Sequence, residues 1–129
     1  MKKVDDKEHK LLALWAADCA EHVLPLFEDY YPEDDRPRKA IAAARAWVLG
    51  NLKVTEARKF ALAAHAAARN ATRPESIAAA RSAGHAAATA HVPGHAKYAA
   101  AYAAKSAIDP ENEIEWQRRK RIDSLQPFR

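Results

Sequence analysis

The sequence predicts an all-α domain, a compact bundle or short solenoid of about six helices, on three observations. Alanine, the residue with the highest helix propensity, supplies 32 of the 129 residues. Glycine, which weakens helices, occurs three times, and prolines separate segments that have helical periodicity. The length fits a single helical domain over residues 1–129, with a core at about 6–123 and a flexible tail at 124–129. So few scattered glycines argue against a phosphate-binding α/β fold.

The first predicted helix spans about residues 6–27, and Pro25 should bend or end it. Its apolar residues share one face at helical spacing: Leu12, Trp15, Cys19, Val23 and Leu26. Residues 28–37 are expected to form a loop. The second helix begins with Asp35 as its cap and ends at Gly50, a residue type common at helix C-termini.

Two further helices are each opened by a predicted capping residue. Thr55 caps the third helix, which extends to about Asn70. Thr72 and Glu75 have the spacing of a capping box, and the fourth helix that follows closes after His91. A fifth helix at about 95–108 and an amphipathic sixth helix from about residue 109 complete the chain.

An internal repeat links the second and fourth helices. Arg-Pro followed by Ile-Ala-Ala-Ala-Arg occurs within residues 36–45 and again within residues 73–81. The next helices also correspond, with Lys-Phe-Ala at 59–61 and Lys-Tyr-Ala at 97–99. Two pseudo-repeated alanine-rich hairpins with flanking helices explain this pattern, and shared composition alone is the other explanation. Gly84 in mid-helix predicts a close approach by another part of the chain.

Composition and charge narrow the functional classes. The single cysteine excludes an internal disulfide, and no apolar run reaches the roughly 20 residues needed to span a membrane. No apolar segment typical of a signal peptide follows the basic start of the chain, so we expect a cytoplasmic protein without membrane association. The net charge of +4 permits contact with nucleic acid without requiring it.

The arginines that end the two copies of the repeat, Arg45 and Arg81, are expected at the edge of the apolar stripe together with Arg38. Arg45 and Arg38 lie seven residues apart there, and Asp18 and Glu21 of the first helix are the nearest acidic candidates to pair with them. This cluster is either a structural ion-pair network or a pocket for an anionic group. A further hypothesis places Asp18, His22 and Arg45 in the pocket of an enzyme or small-ligand protein.

The histidines are expected to form hydrogen bonds rather than a metal site. No His-Glu-x-x-His or Glu-x-x-His string occurs, so we expect no metal and no cofactor. His85, His91 and His95 are expected to gather near the turn between the fourth and fifth helices. Acidic neighbours disfavour a reactive thiolate at Cys19, and no serine lies in a nucleophile motif, so we expect no catalytic residue.

An acidic loop precedes the second helix. It surrounds Tyr30 and Tyr31 with five carboxylates, those of Glu28, Asp29, Glu33, Asp34 and Asp35. Tyrosines among acidic groups suit recognition of a basic partner. The alternative is a solvated loop whose tyrosine packs on the core. Arg36 and Arg38 follow at once, so the loop can also partly neutralise its own helix start.

The basic run at residues 118–121 raises nucleic-acid binding as an alternative function. Trp116 nearby would allow stacking on bases. Acidic residues begin the same helix, however, and acid at the start with base at the end is what the helix dipole favours without any ligand.

Four segments together resemble the bacterial family of putative immunity proteins known as Imm-five-like domains. They are residues 19–27, 35–47, 64–69 and 88–95, with Asp-Arg-Pro-Arg and Ala-Thr-Ala-His as the most specific strings. The resemblance covers about residues 11–108 and implies a non-enzymatic protein that binds and neutralises a co-encoded toxin. The candidate binding residues are then Asp18, Glu21, Tyr30, Tyr31, Asp34, Asp35, Arg36, Arg38, Arg45, His91 and His95.

Overall fold

A computed structural model describes residues 4–125, with side chains described to residue 122, and this part of the chain contains seven helices and no strand. The helices are α1 (Asp6–Val23), α2 (Pro25–Glu28), α3 (Arg36–Val48), α4 (Val54–Asn70), α5 (Pro74–Ala88), α6 (His95–Ser106) and α7 (Pro110–Leu125). The predicted all-α fold of about six helices is confirmed, since α2 is a single turn. Of the predicted tail at 124–129, residues 126–129 lie outside the described part. No described helix is long and apolar enough to cross a membrane.

Two predicted helix breaks are present. The first helix ends at Val23, and Pro25 opens the short α2 after the bend. At the end of α3, Gly50 adopts a φ of 79°, a backbone conformation that glycine reaches without a steric penalty. The amide of Gly50 donates to the carbonyl of Trp47 and that of Asn51 donates to Ala46, which is the hydrogen-bond pattern of a Schellman motif.

Asp35 occupies the predicted N-cap position of α3, but none of the three predicted capping residues, Asp35, Thr55 and Thr72, caps its helix through its side chain. Asp35 makes no capping hydrogen bond, and the neighbouring Asp34 accepts the amide of Arg36 instead. Thr55 lies inside α4, because that helix already begins at Val54. Thr72 is not the cap of α5, which begins at Pro74; the amides of Thr72 and its successor are taken by a tyrosine hydroxyl from the acidic loop.

Helix α5 is the centre of the bundle and packs against α1, α2, α3, α4 and α6. Its buried residues are all small: Ser76, Ala78, Ala79, Ala80, Ser82, Ala83, Gly84, Ala86 and Ala87. Because no buried side chain on α5 is larger than serine, the surrounding helices can approach its backbone closely. The alanines therefore act as spacers that set interhelical distances.

Two hydroxyl groups pin neighbouring elements to α5. The Oγ of Ser76 donates to the carbonyl of Leu26 at 2.6 Å, and the Oγ of Ser82 donates to the carbonyl of Ala99 at 2.7 Å. Both serines are fully buried, so these bonds satisfy groups that would otherwise be costly to remove from water.

The predicted apolar face of α1 is present, and it supplies several of the larger side chains of the core. Trp15, Cys19 and Val23 are buried, and Leu12 and Leu26 pack against the same cluster. The predicted hairpins are α3–α4 and α5–α6, and α1 packs across α3, α5 and α6. This arrangement closes the repeat into a compact bundle instead of leaving an open solenoid.

Helix α7 docks largely through polar groups. The Nε1 of Trp15 donates to the carbonyl of Gln117 at 2.7 Å, and the Nε2 of Gln117 donates to the carbonyl of Ala100 at 2.7 Å. Gln117 is only 5% exposed. The amide therefore links α7 to α6, while the indole links it to α1.

Enlarging an α5 side chain should destabilise the fold. Ala83→Leu forces extra volume against fully buried neighbours and should lower the free energy of unfolding by about 1–3 kcal/mol. Ala101→Leu, the same change at an exposed position of α6, is the control and should be nearly neutral. Urea denaturation measures both, and equal stability of the two variants would contradict the spacer role of α5.

Candidate functional site

Charged side chains from α1, α2 and α3 form a row that we call the charged seam: Asp18, Glu21, Glu28, Arg38 and Arg45. Arg45 contacts two acidic groups of α1, with its Nη2 2.9 Å from Asp18 Oδ1 and its Nη1 3.0 Å from Glu21 Oε2. Arg38 holds Glu28 through two donors, and its Nε lies 2.7 Å from Glu28 Oε2. The ion pairs expected for Arg45 are thus present, whereas Arg38 pairs with Glu28 and not with the expected Asp18 or Glu21.

The seam stabilises its own charges. Hydrogen bonds from Arg45, helped by the positive charges of Arg45 and Arg38, hold the pKa of Glu21 below its usual value. Burial disfavours the charge of Arg45, but its hydrogen bonds to Glu21 and Asp18 outweigh that effect and raise its pKa. Acid and base are therefore both ionised near neutral pH, and their geometry is already formed.

A groove of about 330 Å³ runs beside the seam, and we call it the seam groove. Its lining residues are Glu21, Leu24, Arg38, Ile41, Ala42, Arg45, Ala46, Leu49 and Asn51. Leu49, at the C-terminal end of α3, is 74% exposed. An apolar floor bordered by fixed charges matches the apolar centre and polar rim of protein–protein interfaces.

The acidic loop is partly neutralised by the start of α3, as the sequence suggested. The guanidinium of Arg36 donates two hydrogen bonds to Asp34, at 2.9 and 2.7 Å, and the Nζ of Lys39 lies 3.2 Å from Asp35. The hydrogen bonds from Arg36 lower the pKa of Asp34. Asp34, Asp35 and Arg36 therefore act within the loop and α3.

The two tyrosines of the loop have different surroundings. The hydroxyl of Tyr31 accepts the amide of Thr72 at 2.9 Å and also the amide of Arg73, while its ring stacks on Phe27. Tyr30 is 50% exposed and lies under the guanidinium of Arg73, 3.7 Å from its ring centroid. Tyr31 thus fastens the loop to the α4–α5 turn, whereas Tyr30 remains part of the surface.

His22 does not pair with Asp18, although one hypothesis placed both side chains in the same pocket. His22 Nδ1 lies 2.8 Å from Glu113 Oε2, and its ring stacks on Trp116 with the centroids 3.6 Å apart. Asp18 is held instead by Arg45. The partners of His22 come from α7, 91 residues along the chain, so helical spacing within α1 could not reveal them.

Three imidazoles meet where α4, α5 and α6 adjoin. The Nδ1 atoms of His85 and His95 lie 3.0 Å apart, and the rings of His65 and His85 meet edge to face at 5.0 Å. Arg81 donates to His65 Nδ1 at 2.9 Å. The predicted trio is therefore corrected: His65 of α4 completes the cluster, while His91 is exposed.

Gly84 makes room for this cluster. A Cβ atom at residue 84 would lie 2.7 Å from His65 Nε2, which is closer than atoms can pack. The close approach that a mid-helix glycine predicted therefore involves an imidazole side chain.

The histidine cluster is held neutral by its environment. Burial, followed by the charge of Arg81, lowers the pKa of His65 to about 4. Burial, followed by repulsion from a protonated His65, lowers the pKa of His85 to about 4. Burial also lowers the pKa of His95. These groups therefore pack as uncharged rings at neutral pH.

The basic run of α7 makes contacts within the chain. Arg118 lies 3.1 Å from Glu115, and the guanidinium of Arg121 lies 5.1 Å from the ring centroid of Trp15. The ammonium of Lys120 lies 5.7 Å from the ring centroid of Trp116. Nucleic-acid binding by this run stays a prediction, since none of these contacts tests it.

Two further features bear on chemistry. Burial, followed by the negative charges of Asp18 and Glu113, raises the pKa of Cys19, so its thiol stays protonated. Within residues 4–122, no three histidine, cysteine or acidic side chains are placed to share a metal ion.

Taken together, these features define a small helical domain with a charged, partly apolar groove on its surface. Residues 2–127 match the family described as Imm-5 like putative immunity protein. Because the match covers nearly the whole chain, the protein belongs to this family, as the resemblance predicted. No curated protein and no solved structure gives a significant match.

Loss of Arg45 should destabilise the protein more than loss of Arg38. Arg45→Met leaves Asp18 and Glu21 without their shared partner and should cost about 1–2 kcal/mol. Arg38→Met is the control and should cost less than about 1 kcal/mol, because the Arg38 side chain is 60% exposed. Urea unfolding tests this order, and a larger cost at Arg38 would refute it.

Acidification should destabilise the protein through the histidine cluster. The folded-state pKa values of His65 and His85, about 4, lie below the usual 6.5, so the unfolded chain binds more protons between these limits. The free energy of unfolding should therefore fall as the pH drops from 6.5 towards 4. Urea titrations of a His65→Gln/His85→Gln double variant should show a shallower decline over this window.

His91→Gln, at an exposed position, is the matched control and should retain most of the slope, because the charge of His91 acts only on the pKa of His95, after burial. Carboxylates with lowered pKa values, such as Glu21, also reduce the free energy of unfolding as the pH falls. They do so equally in the parent, the double variant and the control. Identical slopes for the double variant and the parent would show that the cluster does not carry this pH dependence.

Proposed function

We propose that this protein is a non-enzymatic immunity protein that binds and neutralises a cognate toxin in the cytoplasm, using the seam groove as its contact surface. Membership in the Imm-5 like family supports the general role. The observation that carries the choice of surface is the apolar groove floor bordered by ion pairs that are already in place.

The geometry of the seam favours binding without rearrangement. Arg45 and Arg38 are each held by carboxylates in the free protein, so docking need not order these long side chains. Leu49 extends into solvent beside them and offers an apolar anchor. An apolar centre surrounded by polar groups is the usual anatomy of a protein–protein interface.

Charge supports a basic partner surface. Residues 18–45 contain seven acidic and four basic residues, although the whole chain has a net charge of +4. This stretch forms the seam, the acidic loop and most of α3, so this face is acidic on a basic protein. The side chains of Asp29 and Glu33 are exposed and add to it. Complementary charge on a toxin would accelerate encounter and select the correct partner.

The other candidate residues receive supporting roles in this proposal. Tyr31, Asp34, Asp35 and Arg36 hold the acidic loop against the bundle through the contacts described above. His95 belongs to the neutral histidine cluster. They maintain the shape of the surface, and their replacement should act on binding mainly through stability.

Co-expression with the toxin encoded beside this gene tests the proposal. The parent chain should co-purify with the toxin and protect growth. Leu49→Asp should weaken binding at least about tenfold, which corresponds to about 1.4 kcal/mol. Leu62→Asp is the matched control, because Leu62 is 68% exposed on α4 and does not line the seam groove. It should bind like the parent.

Two outcomes would reject the proposal. If no product of a neighbouring gene is retained or neutralised, the immunity function is wrong. If the toxin binds but the Leu49 and Leu62 variants behave alike, the seam groove is not the contact surface.

A further inference from the structure

The turn between α6 and α7 carries the most exposed large apolar residue among the described side chains. Ile108 is 97% exposed and lies between two grooves, one of about 480 Å³ and one of about 360 Å³. Both grooves share Leu26, Ala107 and Ile108 in their walls. We call this surface the Ile108 face.

The two sides of the Ile108 face have opposite charge. The larger groove is lined by Arg73 and Lys105 together with one carboxylate, that of Glu75. The smaller groove is lined by the carboxylate of Asp109, by that of Glu113 with its hydrogen-bonded partner His22, and by no lysine or arginine. The face is therefore basic on one side of Ile108 and acidic on the other.

Two charged residues close to Ile108 in the sequence indicate how the Ile108 face could bind a partner. Lys105 and Asp109 are both exposed. The ammonium of Lys105 lies 5.9 Å from the ring centroid of Tyr102, and Asp109 accepts the amide of Asn112 at 3.1 Å. Neither takes part in an ion pair within the described residues. Both charges therefore remain available to a partner.

The larger groove also has a rigid aromatic edge. Tyr30 is half exposed, and the Arg73 guanidinium 3.7 Å above it is fixed in turn by Glu75 at 2.7 Å. Tyrosine and arginine are the residue types most enriched at interface hot spots. Because the stack exists in the free chain, little side-chain entropy would be lost when it is covered.

A face with positive charge on one side of a central apolar side chain and negative charge on the other is complementary to a second copy of itself. Rotation by 180° about an axis beside Ile108 places the basic side of one copy against the acidic side of the other, as a two-fold interface requires. We propose that the Ile108 face is the interface of a homodimer. In it, Ile108 inserts beside the symmetry axis, and Lys105 faces the partner subunit's Asp109.

This dimer is independent of the proposed toxin contact. The seam groove between α1 and α3 shares no lining residue with the two grooves of the Ile108 face. A dimer would therefore keep both seam grooves, and the failure of either proposal leaves the other intact.

Sedimentation velocity over micromolar to millimolar concentrations gives the first test. The parent chain should dimerise reversibly, and Ile108→Asp should raise the dimer dissociation constant at least tenfold. Leu62→Asp introduces the same change at another exposed leucine and should leave the dissociation constant unaltered. A parent chain that stays monomeric throughout, or an Ile108→Asp variant that associates like the parent, overturns the proposal.

Charge exchange gives a sharper test of the symmetry. Lys105→Glu and Asp109→Lys should each weaken self-association, because each places like charges together at both symmetry-related contacts. An equimolar mixture of the two variants should recover the parent's dimer affinity, since both contacts then join opposite charges. Circular dichroism confirms folding of Asp109→Lys, which loses the hydrogen bond to Asn112. A mixture that associates no better than either variant alone contradicts the two-fold arrangement.

A different occupant would also be recognised. If the parent chain is monomeric and the toxin protects Tyr30 from chemical labelling, the face belongs to the toxin interface and the dimer proposal is wrong.

Discussion

The structure depends on one constraint: the buried side chains of α5 must be small enough for five other helices to pack against it. Its buried surface contains only alanine, serine and glycine, so the packing around it is set by backbone contact and by a few fixed hydroxyl bonds. The larger apolar side chains lie elsewhere, with Trp15 and Phe27 contributed by α1 and α2. Alanine is therefore present for its size as well as for its helix propensity, because volume added at the centre would displace several helices together.

The candidate site follows from this packing. With α1 and α3 both against α5, the acidic side chains of α1 lie opposite Arg45, and the ion pairs form at the edge of the apolar core. The same small residues admit the imidazole of His65 beside Gly84 on the far side. One packing arrangement thus produces a charged surface and a half-buried neutral polar cluster. The two differ because carboxylates accompany the arginines in the first, whereas burial keeps the rings uncharged in the second.

Sequence reasoning succeeded where the signal was local or repeated. Proline and glycine marked helix limits, and the position of Arg45 relative to the apolar stripe indicated acidic partners on another helix. It failed where the partner lies far along the chain: His22 pairs with Glu113, and the Thr72 amide, which Glu75 would accept in the predicted capping box, donates to Tyr31. Such contacts depend on the relative placement of helices, which no spacing rule contains. Specific sequence strings were enough to predict the family. A contact surface could be proposed only from the folded chain, because its residues come from separate helices.

Native-state hydrogen exchange of the backbone amides tests the central role of α5 most directly. If α5 is the shared packing element, it can open only when the whole bundle unfolds, so amides in residues 78–87 should exchange with the free energy of global unfolding. Amides of α7, whose described contacts are mainly with α1 and α6, should exchange through smaller openings. Exchange of the α5 amides as fast as those of α7, at a free energy well below global unfolding, would contradict this account.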